Sequence, residues 1–148
     1  MENISTFKKT ILYLLKKYFD YRDDIVVERD DTKNLKPPYL IIANHTNFWD
    51  PLIIAAYMKK PISFVASMDY FKKISTRYLL QIADAIPKIK FIRDSSTIKN
   101  IIRKKKDKKI IGIFPEGRRN WDGSTEKIIY STAKLIKLLK IPVVLVSL

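Results

Sequence analysis

The chain has 148 residues, of which 47% are hydrophobic and 30% charged, the size and composition of one globular domain with its own core. It contains no cysteine, which excludes disulfides, a thiolate nucleophile and cysteine-ligated zinc. The net charge of +14 predicts attraction to polyanions: nucleic acid, anionic lipid head groups or an acidic carrier protein. No apolar run approaches the roughly 18 residues that cross a bilayer, and no signal peptide is evident, so we expect a protein that is neither exported nor membrane-spanning.

The first predicted element is a basic amphipathic helix over residues 4–19. Its apolar side chains recur at helical spacing, and its lysines fall mainly on the other side. Such a helix can lie in a membrane interface with its lysines on lipid phosphates. It can equally pack on the domain core, and the composition leaves both alternatives open. The apolar positions are Ile4, Phe7, Ile11, Leu14, Leu15 and Tyr18, and the lysines are Lys9, Lys16 and Lys17.

Strands and helices alternate after a polar connection over residues 20–36, in which residues 25–27 predict a short strand. Apolar runs predict further strands at 39–43, 62–66, 110–114 and 141–148. Helices are predicted at 51–57, 70–85, 95–106 with Ser95 or Ser96 as N-cap, and from Ser124 or Thr125 to Lys140. This alternation predicts an α/β domain with a mostly parallel sheet flanked by helices. We expect residues 1–36 to form the amphipathic helix and its connection, and residues 37–148 to form the α/β domain.

A polar segment, Asn-His-Thr-Asn-Phe-Trp-Asp at residues 44–50, follows a predicted strand, where functional groups of parallel α/β sheets gather. His45 is the only histidine, and its unperturbed pKa of roughly 6.5 allows proton transfer close to neutral pH. A folded-back loop can bring the Asp50 carboxylate to the imidazole and fix its tautomer. However, Asp before Pro51 is also favoured at the N-cap of a helix, so Asp50 has a structural alternative that is compatible with catalysis.

A second segment, Phe-Pro-Glu-Gly-Arg-Arg-Asn at residues 114–120, leaves another predicted strand through a Pro-Glu-Gly turn. This turn would expose the Glu116 carboxylate and the guanidinium groups of Arg118 and Arg119 at the carboxyl edge of the sheet. Arginines in this position can bind a phosphate in bidentate fashion, and Gly117 lets the backbone approach it. A surface turn with solvated charges would have a similar sequence.

Together the two segments resemble the lysophosphatidic acid acyltransferase (1-acylglycerol-3-phosphate acyltransferase) family, whose members share an N-H-x-x-x-x-D block and, roughly seventy residues later, an F-P-E-G-x-R block. His45 and Asp50 match the first block; residues 114–117 and Arg119 match the second, with Arg118 where Thr is commoner. Residues 88–93 resemble more weakly a third block, whose final arginine helps to hold the acceptor's phosphate. The usual glycine and Asp-Arg order are absent, because this chain reads Arg93-Asp94.

Residues 141–144 resemble a fourth block of the family, a Pro-containing apolar strand. Relatives commonly continue for several tens of residues, so we expect the domain to be incomplete at its C-terminus.

The resemblance implies a glycerolipid acyltransferase-like fold and an O-acyltransferase of phospholipid biosynthesis. The enzyme would move a fatty acyl group from acyl-CoA or acyl carrier protein to the free hydroxyl of a lysophospholipid, with 1-acylglycerol 3-phosphate as the first candidate. His45 would be the general base and Asp50 its orienting partner. No metal and no cofactor beyond the thioester co-substrate is required. The implied acceptor-binding residues are Arg93, Glu116, Gly117, Arg118 and Arg119.

The implied location is peripheral, on the cytoplasmic face of the membrane and against its anionic surface. One alternative is the same chemistry on another acceptor, such as glycerol 3-phosphate, a lyso-aminolipid or a lipid A precursor. Another is a catalytically inactive basic protein that binds membrane or nucleic acid through residues 103–109, although that run is most simply the solvated end of a helix. Nucleic acid is disfavoured because no recognisable binding module accompanies the charge.

Overall fold

The computed structural model describes residues 6–89, 94–117, 128 and 130–148. The strands are β1 (Leu40–Ala43), β2 (Ile62–Ser67), β3 (Ile86–Lys88), β4 (Ile110–Ile113) and β5 (Val143–Val146). They form a five-stranded sheet in the order β3-β2-β4-β1-β5, and all neighbouring pairs are parallel. The helices are α1 (Thr6–Arg22), α2 (Asp50–Met58), α3 (Met68–Lys72), α4 (Ile74–Ile82), α5 (Ser95–Lys106) and α6 (Tyr130–Leu139). The predicted α/β fold with a parallel sheet is confirmed.

Helices cover both faces of the sheet, because successive side chains of each strand point to opposite faces. On one face, Ile41 of β1 packs in a cluster with Ile54 and Ala55 of α2 and with Leu12 of α1. On the other face, Leu40 and Ile42 pack with Ile101 of α5 and Leu139 of α6. Strands that are buried on both faces read as continuous apolar runs, which is why β1 and β4 could be predicted.

The helix predicted at 70–85 is wrong as a single element. Lys73 adopts an extended backbone (φ −84°, ψ 126°), so α3 ends at Lys72 and α4 begins at Ile74. The Thr76 hydroxyl donates a hydrogen bond to the Tyr70 carbonyl, which provides that carbonyl with a partner other than a helical N–H. The helical pattern is therefore interrupted at Lys73, where a side-chain hydroxyl contacts a carbonyl of the preceding turn.

One prediction of a short strand is also wrong, and one short strand was not predicted. Residues 25–27 pair with no strand in the described part of the chain and so lie outside the sheet. Val26 is 77% exposed. Conversely, β3 was not predicted, since three residues that include Pro87 carry no usable periodicity. Pro87 is tolerated because β3 lies at the edge of the sheet and pairs only with β2. The predicted start of the last helix at Ser124 or Thr125 falls outside the described residues.

The predicted apolar stripe of α1 divides between two surroundings. Ile11 and Leu15 are partly buried and line a cavity. Phe7, Leu14 and Tyr18 point outward and are 60%, 58% and 50% exposed. The helix therefore packs on the domain and also presents an apolar outer stripe. None of the helices in the described parts of the chain is both long and apolar enough to cross a membrane.

Two side-chain clusters hold α1 against α2. In the first, the Tyr57 hydroxyl donates to Asp20 Oδ1 at 2.6 Å, and Lys16 Nζ donates to Asp20 Oδ2 at 2.7 Å. Burial, followed by the hydrogen bond to Asp20, raises the pKa of Tyr57 to about 12, so this donor keeps its proton at neutral pH. In the second, buried Phe19 contacts Trp49 edge-on, with 6.3 Å between ring centroids. Trp49 directly precedes α2, so α1 contacts the start of that helix.

Part of the basic run at 103–109 belongs to the fold. Lys104 is buried and its ammonium group pairs with Asp84, while Lys105 Nζ donates to the Leu139 carbonyl at 2.6 Å. The second contact joins the C-terminal ends of α5 and α6. The interpretation of the whole run as a solvated helix end is therefore wrong for these two lysines.

Candidate active site

Residues 44–50 form a loop that leaves the carboxyl end of β1 and leads directly into α2. Asp50 lies at its end and is almost completely buried, with 3% of its side chain exposed. Its Oδ2 lies 2.9 Å from His45 Nδ1 and accepts hydrogen bonds from Thr46 N and Asn47 N, both at 2.8 Å. The structure therefore brings together the two side chains that the sequence predicts to act as a pair.

The predicted N-cap role of Asp50 is wrong in detail. Trp49 is the N-cap of α2, and Asp50 is the first helical residue. The Asp50 carboxylate accepts from the loop before the helix, at Thr46 N and Asn47 N, and no side-chain cap hydrogen bond is present at the helix start. Asp50 thus closes the loop back on itself and fixes the position of its carboxylate.

This geometry determines the tautomer of His45. A carboxylate oxygen only accepts hydrogen bonds, so His45 Nδ1 carries the hydrogen that points to Asp50. Nε2 of the neutral imidazole is then the basic nitrogen. The side chain is 18% exposed and lines a cavity.

A column of stacked rings supports the imidazole. His45 lies on Phe114 with 4.0 Å between ring centroids and 18° between planes. Phe114 lies in turn on Phe64 of β2, at 5.2 Å and 13°. Hence the first and second sequence blocks are in direct contact, through His45 of one and Phe114 of the other.

The second block begins with a tight turn at the carboxyl end of β4. Gly117 N donates to the Phe114 carbonyl at 3.1 Å, and Gly117 has φ 70°, a left-handed conformation that favours glycine. Glu116 is 5% exposed, contrary to the expectation of an exposed carboxylate. Such deep burial indicates that Glu116 serves first to make contacts within the protein, since a buried carboxylate requires partners.

The cavity beside His45 has a volume of about 1270 Å³ and mostly apolar walls. It reaches both faces of the sheet, because its lining includes Phe64 and Leu12 from one core cluster and Val65 and Ile101 from the other. Charged side chains in the wall are Lys8, Lys88, Asp94 and Lys134, with Gly117 at the same cavity. No group of three or more His, Cys, Asp or Glu side chains within the described ranges is placed to hold a metal ion.

Comparison with known proteins places this site in a family. A family model described as Acyltransferase matches residues 24–148, a span that contains the loop, the turn and all five strands. The chain belongs to the Acyltransferase family. No curated protein matches the sequence.

The Acyltransferase fold is also found in a solved structure. The chain is similar to the crystal structure of the 1-acyl-sn-glycerophosphate (LPA) acyltransferase PlsC from Thermotoga maritima, with a TM-score of 0.73 and 19% sequence identity. The match covers 98% of this chain and 60% of that protein, so the chain spans about three fifths of its length. At this identity the likeness shows a shared fold.

Three of the predicted site residues of this Acyltransferase chain, Arg93, Arg118 and Arg119, lie outside the described residues. Asp94, which follows Arg93 and is described, is the N-cap of α5. Its two oxygens accept hydrogen bonds from Ile89 N at 3.0 Å, Ser96 N at 3.0 Å and Thr97 N at 3.2 Å. The predicted caps Ser95 and Ser96 are therefore wrong by one or two positions. Asp94 also bridges the loop between β3 and α5.

The role of Asp94 as a cap leads to a prediction about the stability of the fold at low pH. The hydrogen bond from Ile89 N, followed by those from Ser96 and Thr97, holds the pKa of Asp94 well below its usual 3.8. A depressed folded-state pKa means that the ionised carboxylate stabilises the fold above about pH 4, and that this contribution disappears as pH falls further. We expect Asp94→Ala to lower the melting temperature equally at about pH 7 and about pH 5, and by less between about pH 4 and about pH 2.

The control is Asp107→Ala, at the C-terminal end of the same helix. A negative charge there opposes the helix dipole, so its removal should not destabilise the protein. An Asp94→Ala effect that does not change with pH would contradict the assigned role of the charge.

Sequence reasoning missed several residues of this Acyltransferase site. Phe64 and Gly112 look like ordinary strand residues, and only the strand register pairs them and brings Phe64 to the Phe114 ring. Trp49, between two named motif residues, contacts Phe19 and Phe48 and so joins the loop to α1.

Proposed function

We propose that the chain is an O-acyltransferase that moves a fatty acyl group from acyl carrier protein or acyl-CoA to the free hydroxyl of a lysophospholipid, first 1-acylglycerol 3-phosphate. The observation that carries the proposal is the His45–Asp50 pair, 2.9 Å apart, on the wall of a large apolar cavity in an Acyltransferase chain. A base that can take a hydroxyl proton thus lies beside a space suited to acyl chains.

The proposed reaction is direct transfer. Nε2 of His45 accepts the proton of the acceptor hydroxyl as that oxygen forms a bond to the thioester carbonyl carbon. The tetrahedral intermediate collapses, the carbon–sulfur bond breaks, and the proton passes from the imidazolium to the departing thiolate. Asp50 stabilises the imidazolium while it exists. No covalent acyl-enzyme and no metal is needed in this scheme.

The charges around the cavity favour an anionic acceptor. Among the described lining residues, Lys8, Lys88 and Lys134 are cationic and Asp94 is anionic. Asp94 offers little to an acceptor amine, because its oxygens already accept from three backbone N–H groups and from the hydroxyls of Ser96 and Thr97. This supports a phosphate-bearing acceptor over a lyso-aminolipid. We further propose that Arg93, Arg118, Arg119 and the backbone at Gly117 bind that phosphate, with Glu116 holding the turn that precedes Arg118 and Arg119.

An acyl-transfer assay tests the proposal. We would offer acyl carrier protein and coenzyme A thioesters together with 1-acylglycerol 3-phosphate, glycerol 3-phosphate and lysophosphatidylethanolamine. The expected product is 1,2-diacylglycerol 3-phosphate, formed faster than the products of the other two acceptors. Preference for another acceptor would change the substrate assignment. Lack of transfer to all three acceptors from both donors would contradict the enzyme assignment.

We also propose that the protein docks peripherally on an anionic membrane, at the cytoplasmic face, where such lipids attract basic segments. The support is the outer stripe of α1, in which exposed Phe7, Leu14 and Tyr18 share one side of the helix and Lys17 neighbours Leu14. Apolar side chains flanked by lysines suit the boundary between acyl chains and phosphate groups. In this position the cavity, whose wall includes residues of α1, is near the lysolipid.

Leu14→Ser should weaken this docking. Loss of one leucine from the acyl boundary is expected to lower the partition coefficient on vesicles rich in phosphatidylglycerol by about tenfold. The measurement is vesicle co-sedimentation, and the control is Leu145→Ser, which changes an exposed leucine on β5. Equal binding by the wild type and both variants would contradict docking through α1, and binding to duplex DNA in place of vesicles would favour a different partner.

A further inference from the structure

A hydrogen bond at one atom does not fix the plane of an imidazole. The contact between His45 Nδ1 and Asp50 holds one ring nitrogen, and the ring can still tilt about that contact. The direction of the Nε2 lone pair depends on this tilt. A base that acts on a bound hydroxyl needs a fixed direction, because misplacement by about 1 Å can cost on the order of a hundredfold in rate.

The second constraint on the ring is its stack on Phe114, 4.0 Å away and nearly parallel. Phe114 cannot provide this support by itself, since it follows the end of β4 and is only partly buried. It also stacks on Phe64, which is 6% exposed and belongs to the core cluster of β1, β2 and α2. The rigid core therefore supports the imidazole through two aromatic rings.

Gly112 makes this arrangement possible. It is paired with Phe64 across the β2–β4 ladder, and the Phe64 ring lies directly over it. A Cβ added at Gly112 would be 2.8 Å from Cγ of Phe64 and closer still to two other ring atoms, well inside van der Waals contact. Any other residue at this position would displace the ring, and Phe114 and His45 would lose their support.

We propose that Gly112 and Phe64 are positioning residues for the general base: the glycine leaves room for the Phe64 ring over β4, and that ring supports the Phe114–His45 stack. The inference rests on the proposed function of His45. The stack also favours the reaction electrostatically, because the negative face of Phe114 stabilises the positive imidazolium that forms when His45 takes a proton.

Because His45 is the only histidine, its ring protons can be observed directly by NMR. Stacking on Phe114 shifts them upfield through the ring current. We expect Phe64→Leu and Gly112→Ala each to move these signals downfield and to lower kcat about tenfold or more, with little change in KM. Ile110→Val is the control: it alters the same core cluster at the other end of β4 and should leave both the signals and kcat unchanged.

The double variant Gly112→Ala/Phe64→Leu separates positioning from general stability. Removing the ring relieves its overlap with the methyl group added at position 112. We therefore expect the melting temperature to rise above that of Gly112→Ala, while kcat and the histidine signals stay as in Phe64→Leu. If Phe64→Leu does not fold, Phe64→Met removes the same ring with a side chain that fills irregular space.

Unchanged histidine signals in folded Phe64→Leu and Gly112→Ala would overturn the inference, as would signals that move without a loss of kcat. An increase in KM alone would mean that Phe64 contacts substrate, which would also overturn it. A wild-type protein that transfers no acyl group would refute the proposed function, and the NMR comparison would still decide whether Gly112 and Phe64 position the ring.

Discussion

His45→Ala is expected to lower kcat/KM for acyl transfer by two orders of magnitude or more. Removal of a general base costs about 10²- to 10⁴-fold, and the chain has no second histidine that could replace this one. The loss should appear with every acceptor and donor that the wild type uses, because the proton transfer is common to all of them. Steady-state kinetics at saturating thioester measures it.

Thr46→Ala is the matched control for His45→Ala. It changes the next residue of the same loop and keeps the backbone N–H that donates to Asp50. We expect near wild-type activity from this variant, and circular dichroism should show that both variants are folded. Activity retained by His45→Ala would contradict the mechanism, whatever the control does.

Asp50→Asn is expected to reduce both catalysis and stability. The carboxylate oxygen that contacts His45 also accepts two backbone N–H groups, in a site where only 3% of the side chain is exposed. Loss of the negative charge leaves the imidazolium without its counter-charge, so kcat should fall about 10²- to 10⁴-fold. Weaker hydrogen bonds to a neutral amide should lower the free energy of unfolding by about 1–3 kcal/mol.

The two effects distinguish the two roles of Asp50. Urea denaturation gives the stability loss, and kinetics well below the denaturation midpoint give the activity of the folded fraction. If the unfolding free energy falls and kcat of the folded enzyme does not, Asp50 serves only to close the loop. A fall in both quantities would show that this carboxylate both closes the loop and supports catalysis.

The sequence predicted the parts of the fold that repeat a simple pattern. Continuous apolar runs identified β1 and β4, and the alternation of strands with helices identified a parallel α/β sheet. The pairing of His45 with Asp50 was predicted from the turn between them and from a family resemblance, and the structure places them 2.9 Å apart. Local pattern and motif spacing are sufficient where a feature depends on neighbours in the chain.

Features that depend on particular side-chain contacts or on partners distant in the sequence were not predictable. The chain becomes extended at Lys73 and the Thr76 hydroxyl contacts the Tyr70 carbonyl, and no periodicity encodes either feature. Glu116 reads as an exposed turn residue but is buried. The support of His45 by Phe64 requires the register of β2 on β4, which only the folded sheet defines.

The contact of α1 with Trp49 has a consequence for how the protein would meet a bilayer. Phe19 and the Arg22 guanidinium both lie against the Trp49 ring, which directly precedes Asp50. The helix with the outward apolar stripe is therefore packed directly on the loop that carries His45. If α1 lies on lipid, the height of His45 above the acyl boundary is a fixed dimension of the protein, so the depth at which a lysolipid hydroxyl can react is built into the fold.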